Sequence, residues 1–300
     1  MKLLCIGGAT ASGKTSLSVG VAKALGGEII SADSMQIYKG MDVGTSKIKD
    51  VEMENVPHHL LSFVEPNVDY SVSAFVDCAI KTIEKISSNG NQPIICGGTG
   101  FYFSSLLYEK SFGNVSSNEE LRQYYAKMAK NKGNDCLFEE LIKLDPKTAE
   151  KLHKNDVKRV IRALELAKLG IKKSDLNDNK QRYPYKMYCI DVHRDKLYKN
   201  INLRVDQMVD EGLIKEAEYL YNTLPKTATA FAAIGYKEIF GHFDGQYDLN
   251  TAIELIKKNT RHYAKRQITY FKHQFNCVLV DDNLSKQDKI NFVLEDFAKN

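Results

Sequence analysis

The chain has 300 residues, of which 43% are hydrophobic and 27% are charged, and its formal net charge is +4. This composition excludes an intrinsically disordered chain and provides enough apolar side chains for a large core. The mildly basic balance does not by itself indicate a nucleic-acid partner, because only clustering of the positive charge would do so.

The cysteines and histidines predict neither disulfides nor a metal cage made by the protein alone. The six cysteines are isolated, mostly within apolar runs, and no C-x-x-C pair occurs. They predict reduced core residues of a cytoplasmic protein.

No apolar run approaches the roughly 18 residues of a membrane helix and no signal peptide opens the chain, so we expect no membrane partner. Nothing suggests a coiled coil or another dedicated interface, and we expect a monomer.

The first predicted strand, residues 3–6, leads into a stretch that fits G-x-x-x-x-G-K-[ST], and a helix is predicted over residues 16–25. A strand before and a helix after are the context in which this motif forms a phosphate-binding P-loop. Its glycines let backbone N–H groups point at an anion beside a helix N-terminus. Lys14 adds a positive charge for the outer phosphate, and the Thr15 hydroxyl can bind Mg²⁺. We therefore predict a diphosphate or triphosphate site formed by Gly8, Ala9, Thr10, Ala11, Ser12, Gly13, Lys14 and Thr15.

Two further predicted strands end in polar residues. Residues 28–33 end on Asp33, and residues 93–96 stop at the Gly-Gly-Thr-Gly sequence that contains Thr99. Between them, Ser71 is expected to cap a helix that runs to about residue 89. Alternating strands and helices predict a parallel sheet with helices on both faces, and such sheets bind ligands at the carboxyl ends of their strands. We therefore expect the P-loop, Asp33 and Thr99 to converge on one crevice.

From about residue 113 to residue 183 the strand signals disappear and apolar residues recur at helical spacing. This pattern predicts a mostly helical insertion, closed by the polar segment 172–180. After it we expect a strand over residues 186–192, one helix over residues 197–224, helices from Lys237 and Thr251, a strand over residues 277–280 and a terminal helix. The predicted fold is an α/β, P-loop NTPase-like parallel sheet flanked by helices, with a core of residues 1–112 and 184–300 and a helical insertion domain of residues 113–183.

Asp33 is the most informative acid, because it follows a buried strand and faces the predicted P-loop. Its carboxylate can serve as a Mg²⁺ partner or a general base, or it can be a helix cap or a solvated loop acid, and the sequence leaves these alternatives open. The Gly-Gly-Thr-Gly sequence stands where a nucleotide hydrolase has an aspartate, which weakens an ATPase interpretation. Arg204 lies on a helix where P-loop kinases often supply an arginine to the transferring phosphate, although a structural salt bridge explains it equally well.

Two clusters of basic residues point to a polyanionic partner. The first follows helical spacing along one predicted face, with Arg159 beside it: Lys147, Lys151, Lys154, Lys158 and Arg162. The second has no acid among its members and is interleaved with Tyr263, Tyr270 and Phe271: Lys257, Lys258, Arg261, Lys265, Arg266 and Lys272. A charge run is usually a solvated helix face. Two such runs in a chain of low net charge favour RNA, whose bases stack on aromatic side chains.

These segments together resemble the tRNA dimethylallyltransferase family over nearly the whole chain. The matching motifs follow the family's order: residues 8–15, Asp-Ser-Met-Gln-Ile-Tyr from Asp33 within residues 33–45, Pro-His-His-Leu at 57–60, Gly-Gly-Thr-Gly-Phe-Tyr at 97–102, and residues 158–165, 204–208, 234–238 and 264–267. The Asp-Ser-x-Gln-x-Tyr block with Gly-Gly-Thr-Gly is far more specific than the P-loop. The chain departs from the family at Ala9, a usual proline, at Lys158, a usual glutamine, and at Tyr270, a common tryptophan.

The resemblance implies transfer of a dimethylallyl group from dimethylallyl diphosphate to N6 of the adenosine 3′-adjacent to the anticodon in tRNA. Asp33 would accept a proton from the amine, Thr99 would hold the adenine, and Lys14 and Arg204 would stabilise the leaving diphosphate together with Mg²⁺ at Thr15. The tRNA anticodon stem-loop would contact Asp33, Ser34, Met35, Gln36, Thr99, Lys158, Arg159, Val160, Ile161, Arg162, Lys265, Arg266, Gln267 and Lys272. Two other classes stay open: a P-loop kinase that uses ATP on a small metabolite, and a non-catalytic RNA-binding nucleotide switch.

Overall fold

The computed structural model describes residues 2–110, 118–175 and 180–299. The chain forms two compact units, one of Met1–Leu107 with Tyr183–Asn300 and one of Tyr108–Arg182. The predicted insertion boundary near residue 113 and residues 176–179 of the predicted closing segment lie outside the described residues. No helix of the described ranges is both long enough and apolar enough to cross a membrane.

The larger unit is built on a parallel sheet, which confirms the predicted fold class. Its described strands are β1 (Leu3–Gly7), β2 (Gly27–Ser31), β3 (His58–His59), β4 (Gln92–Cys96), β5 (Tyr185–Asp191) and β6 (Cys277–Asp281). They follow the order β3-β2-β4-β1-β5-β6, and every neighbouring pair is parallel. All five residues of β1 are buried between β4 and β5. This central position explains why the first strand reads as a continuous apolar run.

The helices of the larger unit cover both faces of the sheet. Those before the smaller unit are α1 (Lys14–Leu25), α2 (Asp50–Met53), α3 (Val72–Ser88) and α4 (Gly100–Leu107). The smaller unit contains α5 (Glu119–Leu144), α6 (Pro146–Ala149) and α7 (Val157–Lys168). The larger unit then continues with α8 (Arg194–Asp210), α9 (Leu213–Thr223), α10 (Tyr236–Phe243), α11 (Leu249–Gln274) and α12 (Lys286–Ala298). Ser71 caps α3 by accepting the N–H of Ala74, as predicted. Helix α11 has 26 residues, whereas α5 is interrupted at Gly133, whose φ of 85° and ψ of 164° are not helical.

Two details of the predicted elements are wrong. The expected helix over residues 197–224 is two helices, because Gly212 has a φ of 107° and this left-handed backbone separates α8 from α9. Strand β3 was not predicted, since two residues carry no recognisable periodicity. Its place is set by tertiary contacts: His59 Nε2 lies 2.6 Å from Glu28 Oε2, and Asn91 Nδ2 donates to the other oxygen of that carboxylate at 2.6 Å.

The smaller unit is a helical body with its own core, formed by buried residues of α5, α6 and α7. Glu165 is fully buried there, accepts the N–H of Asn118 and forms ion pairs with Arg122 and Arg162. The chain enters and leaves the unit at one point. Tyr108 and Gln181 form an antiparallel bridge, and the Glu109 N–H donates to Lys180 O at 2.7 Å.

Candidate functional site

Three loops interlock at the carboxyl edge of the sheet. The Gly97 N–H donates to Ile6 O at 3.2 Å, the Thr99 N–H donates to Ala32 O at 3.1 Å, and the Ala32 N–H donates to Cys96 O at 2.8 Å. A Cβ on Gly97 would lie 2.2 Å from Ala32 O, so only glycine permits this approach of two backbones. The structure therefore brings together the P-loop after β1, the Asp33 loop after β2 and the Thr99 loop after β4.

The predicted P-loop combines two glycines of left-handed backbone with a helix that begins directly after them. Gly8 and Gly13 have φ values of 127° and 92°, and α1 begins at Lys14 directly after them. The Ser12 hydroxyl donates to Ala9 O at 2.9 Å, and the Lys14 ammonium donates to the same carbonyl. Burial lowers the pKa of Lys14 to about 8; the charge of Arg204 also lowers it, while Cys96 and Asp33 raise it. The folded protein thus holds a half-buried cation at the start of α1.

One predicted phosphate contact is not available in this arrangement. The Thr10 N–H donates to Gln267 Oε1 at 2.9 Å, so this amide points at α11 and not at the anion site. The Thr10 hydroxyl instead lies 3.4 Å from Arg204 Nη1. The Thr10 amide is thus engaged by Gln267, its hydroxyl lies beside a cation of the site, and its part in diphosphate binding stays a prediction.

Asp33 and Thr99 form a fixed pair at the ends of β2 and β4. Asp33 Oδ1 accepts the N–H groups of Met35 at 2.9 Å and Gln36 at 3.3 Å. Thr99 Oγ1 accepts the Ser34 N–H at 3.0 Å and lies 3.3 Å from Ser34 Oγ. One oxygen of Asp33 therefore acts as a cap for the following backbone, which was one of the alternatives left open by the sequence. The turn that this oxygen closes fixes the direction of the carboxylate.

Arg204 reaches the P-loop from α8. Its Nη2 donates to Ser46 O at 3.1 Å while Nη1 faces Thr10 Oγ1. Burial lowers the pKa of Arg204, and the charge of Asp33 opposes that effect. Within the described part of the chain, its hydrogen bonds go to a hydroxyl and a carbonyl oxygen and not to a carboxylate. This geometry favours an anion-binding role over the structural salt bridge.

A cavity of about 1320 Å³ opens beside the P-loop within the larger unit. Lys14, Thr15 and Arg204 line it, together with parts of the 42–54 loop and of α8. Each of the four lysines at its rim pairs with a carboxylate: Lys47 with Asp42, Lys49 with Glu211, Lys286 with Glu54 and Lys289 with Asp282. Lys14 and Arg204 are bonded to uncharged oxygens, so they are the cations of this wall that an anionic ligand can pair with. Asp33 and Thr99 do not line the cavity.

The 42–54 loop is anchored by a residue that sequence reasoning missed. Glu216 on α9 accepts the N–H groups of Asp42, Val43 and Gly44 at 2.8–2.9 Å, and Tyr236 donates to it at 2.6 Å. A Cβ on Gly44 would lie 2.3 Å from the Tyr236 ring. No local pattern signals this contact, because Glu216 is about 170 residues away from the loop in sequence.

The first predicted basic face is not one helical face. Lys147 lies on α6, Lys151 and Lys154 lie in the turn that follows it, and only Lys158 and Arg162 lie on α7. Lys154 pairs with Asp135 and Arg162 with Glu165. Lys158 and Arg159 are exposed. Val160 is fully buried and Ile161 packs against the same core, so the predicted contact of Val160 with tRNA is wrong.

The second basic cluster lies on α11, and the structure divides it. Lys257 pairs with Asp206 and Glu254, and Arg261 donates to Asn202 at 2.6 Å. Phe271 is 2% exposed and is a core residue, so its interpretation as a stacking platform is wrong. Lys258, Lys265, Arg266 and Lys272 are exposed. The basic surface of this helix is therefore smaller than predicted.

Gln267 was predicted to contact tRNA, and its burial contradicts that role. It is 5% exposed, and its amide is bonded to Thr10 N–H and to Gly98 O. Ser34, Met35 and Gln36, the other loop residues predicted to contact tRNA, are half-buried. Met35 packs against a hydrophobic core, and Gln36 Nε2 donates to Thr45 O at 3.2 Å.

A parallel sheet whose central first strand leads into this loop and helix defines the P-loop NTPase-like class of α/β proteins. The model of the IPP transferase family matches residues 36–274. The chain belongs to this family.

Relatives of known name and structure agree. The chain is 43% identical over 295 residues to the tRNA dimethylallyltransferase of Acetivibrio thermocellus, covering 96% of this chain and 94% of that protein. It is 41% identical to the tRNA isopentenylpyrophosphate transferase of Bacillus halodurans, with a TM-score of 0.77 over 99% and 96% of the two chains. A eukaryotic dimethylallyltransferase acting on tRNA is 25% identical, with a TM-score of 0.82 over 100% of this chain and 80% of its own. The predicted prenyl-transferring enzyme is thus confirmed, and these relatives do not support the kinase alternative.

Proposed function

We propose that this enzyme transfers the dimethylallyl group of dimethylallyl diphosphate to the exocyclic N6 of the adenosine 3′-adjacent to the anticodon in tRNA, with release of diphosphate. Its family and the names of its relatives support this reaction class. The observation that carries the proposal is the interlocking of three loops. It supports a diphosphate site at Lys14 next to an amine site at Asp33 and Thr99, and Arg204 reaches the P-loop from α8.

The donor diphosphate binds at the start of α1. Negative charge grows on the oxygen that bridges the diphosphate to the allylic carbon as that bond breaks. Lys14 and Arg204 are half-buried on the cavity wall, and burial lowers the pKa of each. Fixed cations in a site that is partly shielded from water stabilise developing charge more strongly than cations in water do.

The residues at the P-loop fit a magnesium ion bound mainly by the donor. Thr15 is exposed at the first turn of α1 and lines the cavity. The described parts of the chain contain no cluster of three histidine, cysteine, aspartate or glutamate residues that could hold a metal. Mg²⁺ commonly keeps several waters and binds through substrate phosphates with few protein ligands. Thr15 is the proposed protein ligand, and the ion would supply further neutralisation of the diphosphate.

The acceptor amine meets Asp33 and Thr99. The N6 nitrogen forms a bond to the allylic carbon, the carbon–oxygen bond to diphosphate breaks, and the proton of the amine passes to Asp33. Asp33 is held in direction by its Oδ1 turn. Thr99 keeps its hydroxyl at the same place through Ser34 and would hydrogen-bond the adenine. An exocyclic amine is a weak nucleophile, so positioning supplies much of the rate.

The tRNA contacts proposed outside this crevice lie on exposed basic side chains. On α11 these are Lys265, Arg266 and Lys272, and on α7 they are Lys158 and Arg159. Such side chains bind phosphates and give the complex a strong dependence on salt. The target base leaves a single-stranded loop to enter the crevice, which costs less free energy than extrusion from a duplex. We propose the smaller unit as a tRNA-binding domain.

The decisive experiment is label transfer. The protein is incubated with Mg²⁺, radiolabelled dimethylallyl diphosphate and an anticodon stem-loop with adenosine 3′-adjacent to the anticodon. A stem-loop with guanosine at that position and a reaction with added ATP serve as controls. We expect label in the adenosine stem-loop alone, without any need for ATP. Absence of label there, with ATP consumed in the presence of a small metabolite, would contradict the proposal.

A further inference from the structure

One buried side chain joins the P-loop to the Thr99 loop. Gln267 lies on the inner face of α11 and is 5% exposed. Its Oε1 accepts the Thr10 N–H at 2.9 Å, and its Nε2 donates to Gly98 O at 2.8 Å. Because the two loops follow the neighbouring strands β1 and β4, the amide spans the gap between the two strand ends.

The contact requires a side chain that donates one hydrogen bond and accepts another. The glutamine amide carries an acceptor oxygen and a donor NH₂ on one planar group. An ionised carboxylate lacks the donor, and a hydrocarbon side chain lacks both. A Cβ on Gly98 would lie 2.3 Å from Gln267 Nε2, so the amide reaches that carbonyl only because Gly98 has no side chain. Both partners are backbone groups. The two hydrogen bonds therefore fix the positions of the loops themselves and not of flexible side chains.

Each joined loop carries one half of the reaction. The Thr10 hydroxyl faces Arg204, a proposed cation for the donor diphosphate. Gly98 directly precedes Thr99, the proposed partner of the acceptor base. Helix α11 thus joins the donor side and the acceptor side through Gln267.

We propose that Gln267 is a positioning residue that sets the separation between the P-loop and the Thr99 loop, and so the alignment of the prenyl donor with the acceptor base. This inference rests on the proposed function for the identity of the two reactants. Bond formation needs the reacting atoms about 3–3.5 Å apart and aligned, and a misplacement of about 1 Å can cost roughly 100-fold in rate. The polar atoms of Gln267 are both bonded to backbone, so its effect is exerted through the loops.

The test replaces the amide by a side chain of similar length without hydrogen-bonding groups. Gln267→Met is compared with Gln274→Met, the same substitution at an exposed glutamine of the same helix. We expect Gln267→Met to lower kcat by about 30- to 100-fold. KM for dimethylallyl diphosphate and for the stem-loop should stay within about threefold, and Gln274→Met should match the wild type. The concentration of folded enzyme is taken as the concentration of molecules that bind inorganic diphosphate. If kcat calculated on that basis stayed within threefold of the wild type, the proposal would be overturned.

A second variant separates positioning from packing. Gln267→Glu keeps the size of the side chain, but its ionised carboxylate cannot donate to Gly98 O. Burial raises the pKa of such a carboxyl group, and its protonated form donates and accepts as glutamine does. We therefore expect the ratio of variant to wild-type kcat to rise as the pH falls from 8 to 6. A ratio that stays constant over this range, or one that follows only the fraction of folded protein, would contradict a positioning role.

Hydrogen exchange tests the contact without relying on catalysis. In Gln267→Met the Thr10 amide loses its acceptor, and we expect the peptide that contains residues 8–13 to exchange at least tenfold faster than in the wild type or in Gln274→Met. Unchanged exchange would overturn the inference even if the enzyme is active. A wild type that exchanges as expected but transfers no label would instead refute the proposed function and leave the joining of the loops established.

Discussion

Asp33 shows how one carboxylate can be both a structural and a reactive group. Oδ1 closes the turn with the N–H groups of Met35 and Gln36. Removal of the whole side chain would therefore disturb the loop as well as the chemistry. Asn retains an oxygen acceptor for the turn but loses the charge and the basicity, so it isolates the second role.

We expect Asp33→Asn to lower the rate of transfer by about 10²- to 10⁴-fold, the usual contribution of a general base. Binding of inorganic diphosphate with Mg²⁺ should stay within about threefold of the wild type, measured by calorimetry. Asp33→Ala should lose the same activity and also some thermal stability. If Asp33→Asn abolished binding of diphosphate, Asp33 would be a metal ligand instead.

The lowered pKa of Lys14 predicts a pH dependence of donor binding. The pKa is about 8 in the folded protein. A bound diphosphate favours the protonated amine and raises this pKa, so binding takes up a proton when the pH exceeds about 8. The ratio of diphosphate affinities between the wild type and Lys14→Met should then fall by about tenfold per pH unit above 8 and level off below it. Calorimetry between pH 6.5 and 9.5 measures this ratio, and a pH-independent ratio would show that Lys14 stays charged without ligand.

At the scale of the elements, Glu216 fixes the loop that forms one wall of the cavity. We expect Glu216→Ala to lower the free energy of unfolding by about 2–4 kcal/mol, because a carboxylate with several hydrogen bonds is lost. KM for dimethylallyl diphosphate should rise, since Ser46 of the same wall holds Arg204. Glu218→Ala, an exposed site on the same helix, is the matched control. Urea unfolding and steady-state kinetics measure both effects, and equal behaviour of the two variants would refute the anchor.

The exposed side of α11 is the second prediction at this scale. Lys265→Glu with Arg266→Glu should weaken binding of the stem-loop by at least tenfold. The slope of log K against log salt should become shallower, because fewer counterions are released. Lys81→Glu with Lys215→Glu changes the net charge equally at exposed sites on α3 and α9. Equal salt slopes in the two double variants, measured by fluorescence anisotropy, would remove α11 from the RNA interface.

For the whole molecule, the single point of entry and exit allows the smaller unit to be removed. Residues 110–179 can be replaced by Asn-Gly, which forms a tight turn between antiparallel strands. We expect the shortened protein to melt cooperatively and to bind inorganic diphosphate within about threefold of the full chain. Its affinity for the stem-loop should fall at least tenfold. Full RNA affinity in the shortened protein would show that the smaller unit is not a tRNA-binding domain.

The sequence predicts the sheet and the P-loop well, because both are local signals. Buried parallel strands read as apolar runs, and the P-loop carries its own spacing of glycines. The sequence fails where a residue's partner is far away in the chain. Periodicity places Gln267 and Phe271 on α11 but cannot tell that they face the sheet edge, and Glu216 has no neighbour in sequence that reveals its three backbone donors. The two adjacent histidines of β3 likewise form a strand by pairing with Ile29 and Ile30 of β2, and the contact of His59 with Glu28 lies beside this pairing.

The bridge between Tyr108 and Gln181 also bears on the order of folding. Strand β1 pairs with both β4 and β5, which lie on opposite sides of the smaller unit in sequence. Closing an open loop of roughly 70 residues costs about 2–3 kcal/mol more in chain entropy than closing one of a few residues. Once the smaller unit has folded, its paired ends turn the long connection into a short one. A unit proposed to bind RNA therefore also lowers the entropic barrier to assembling the sheet.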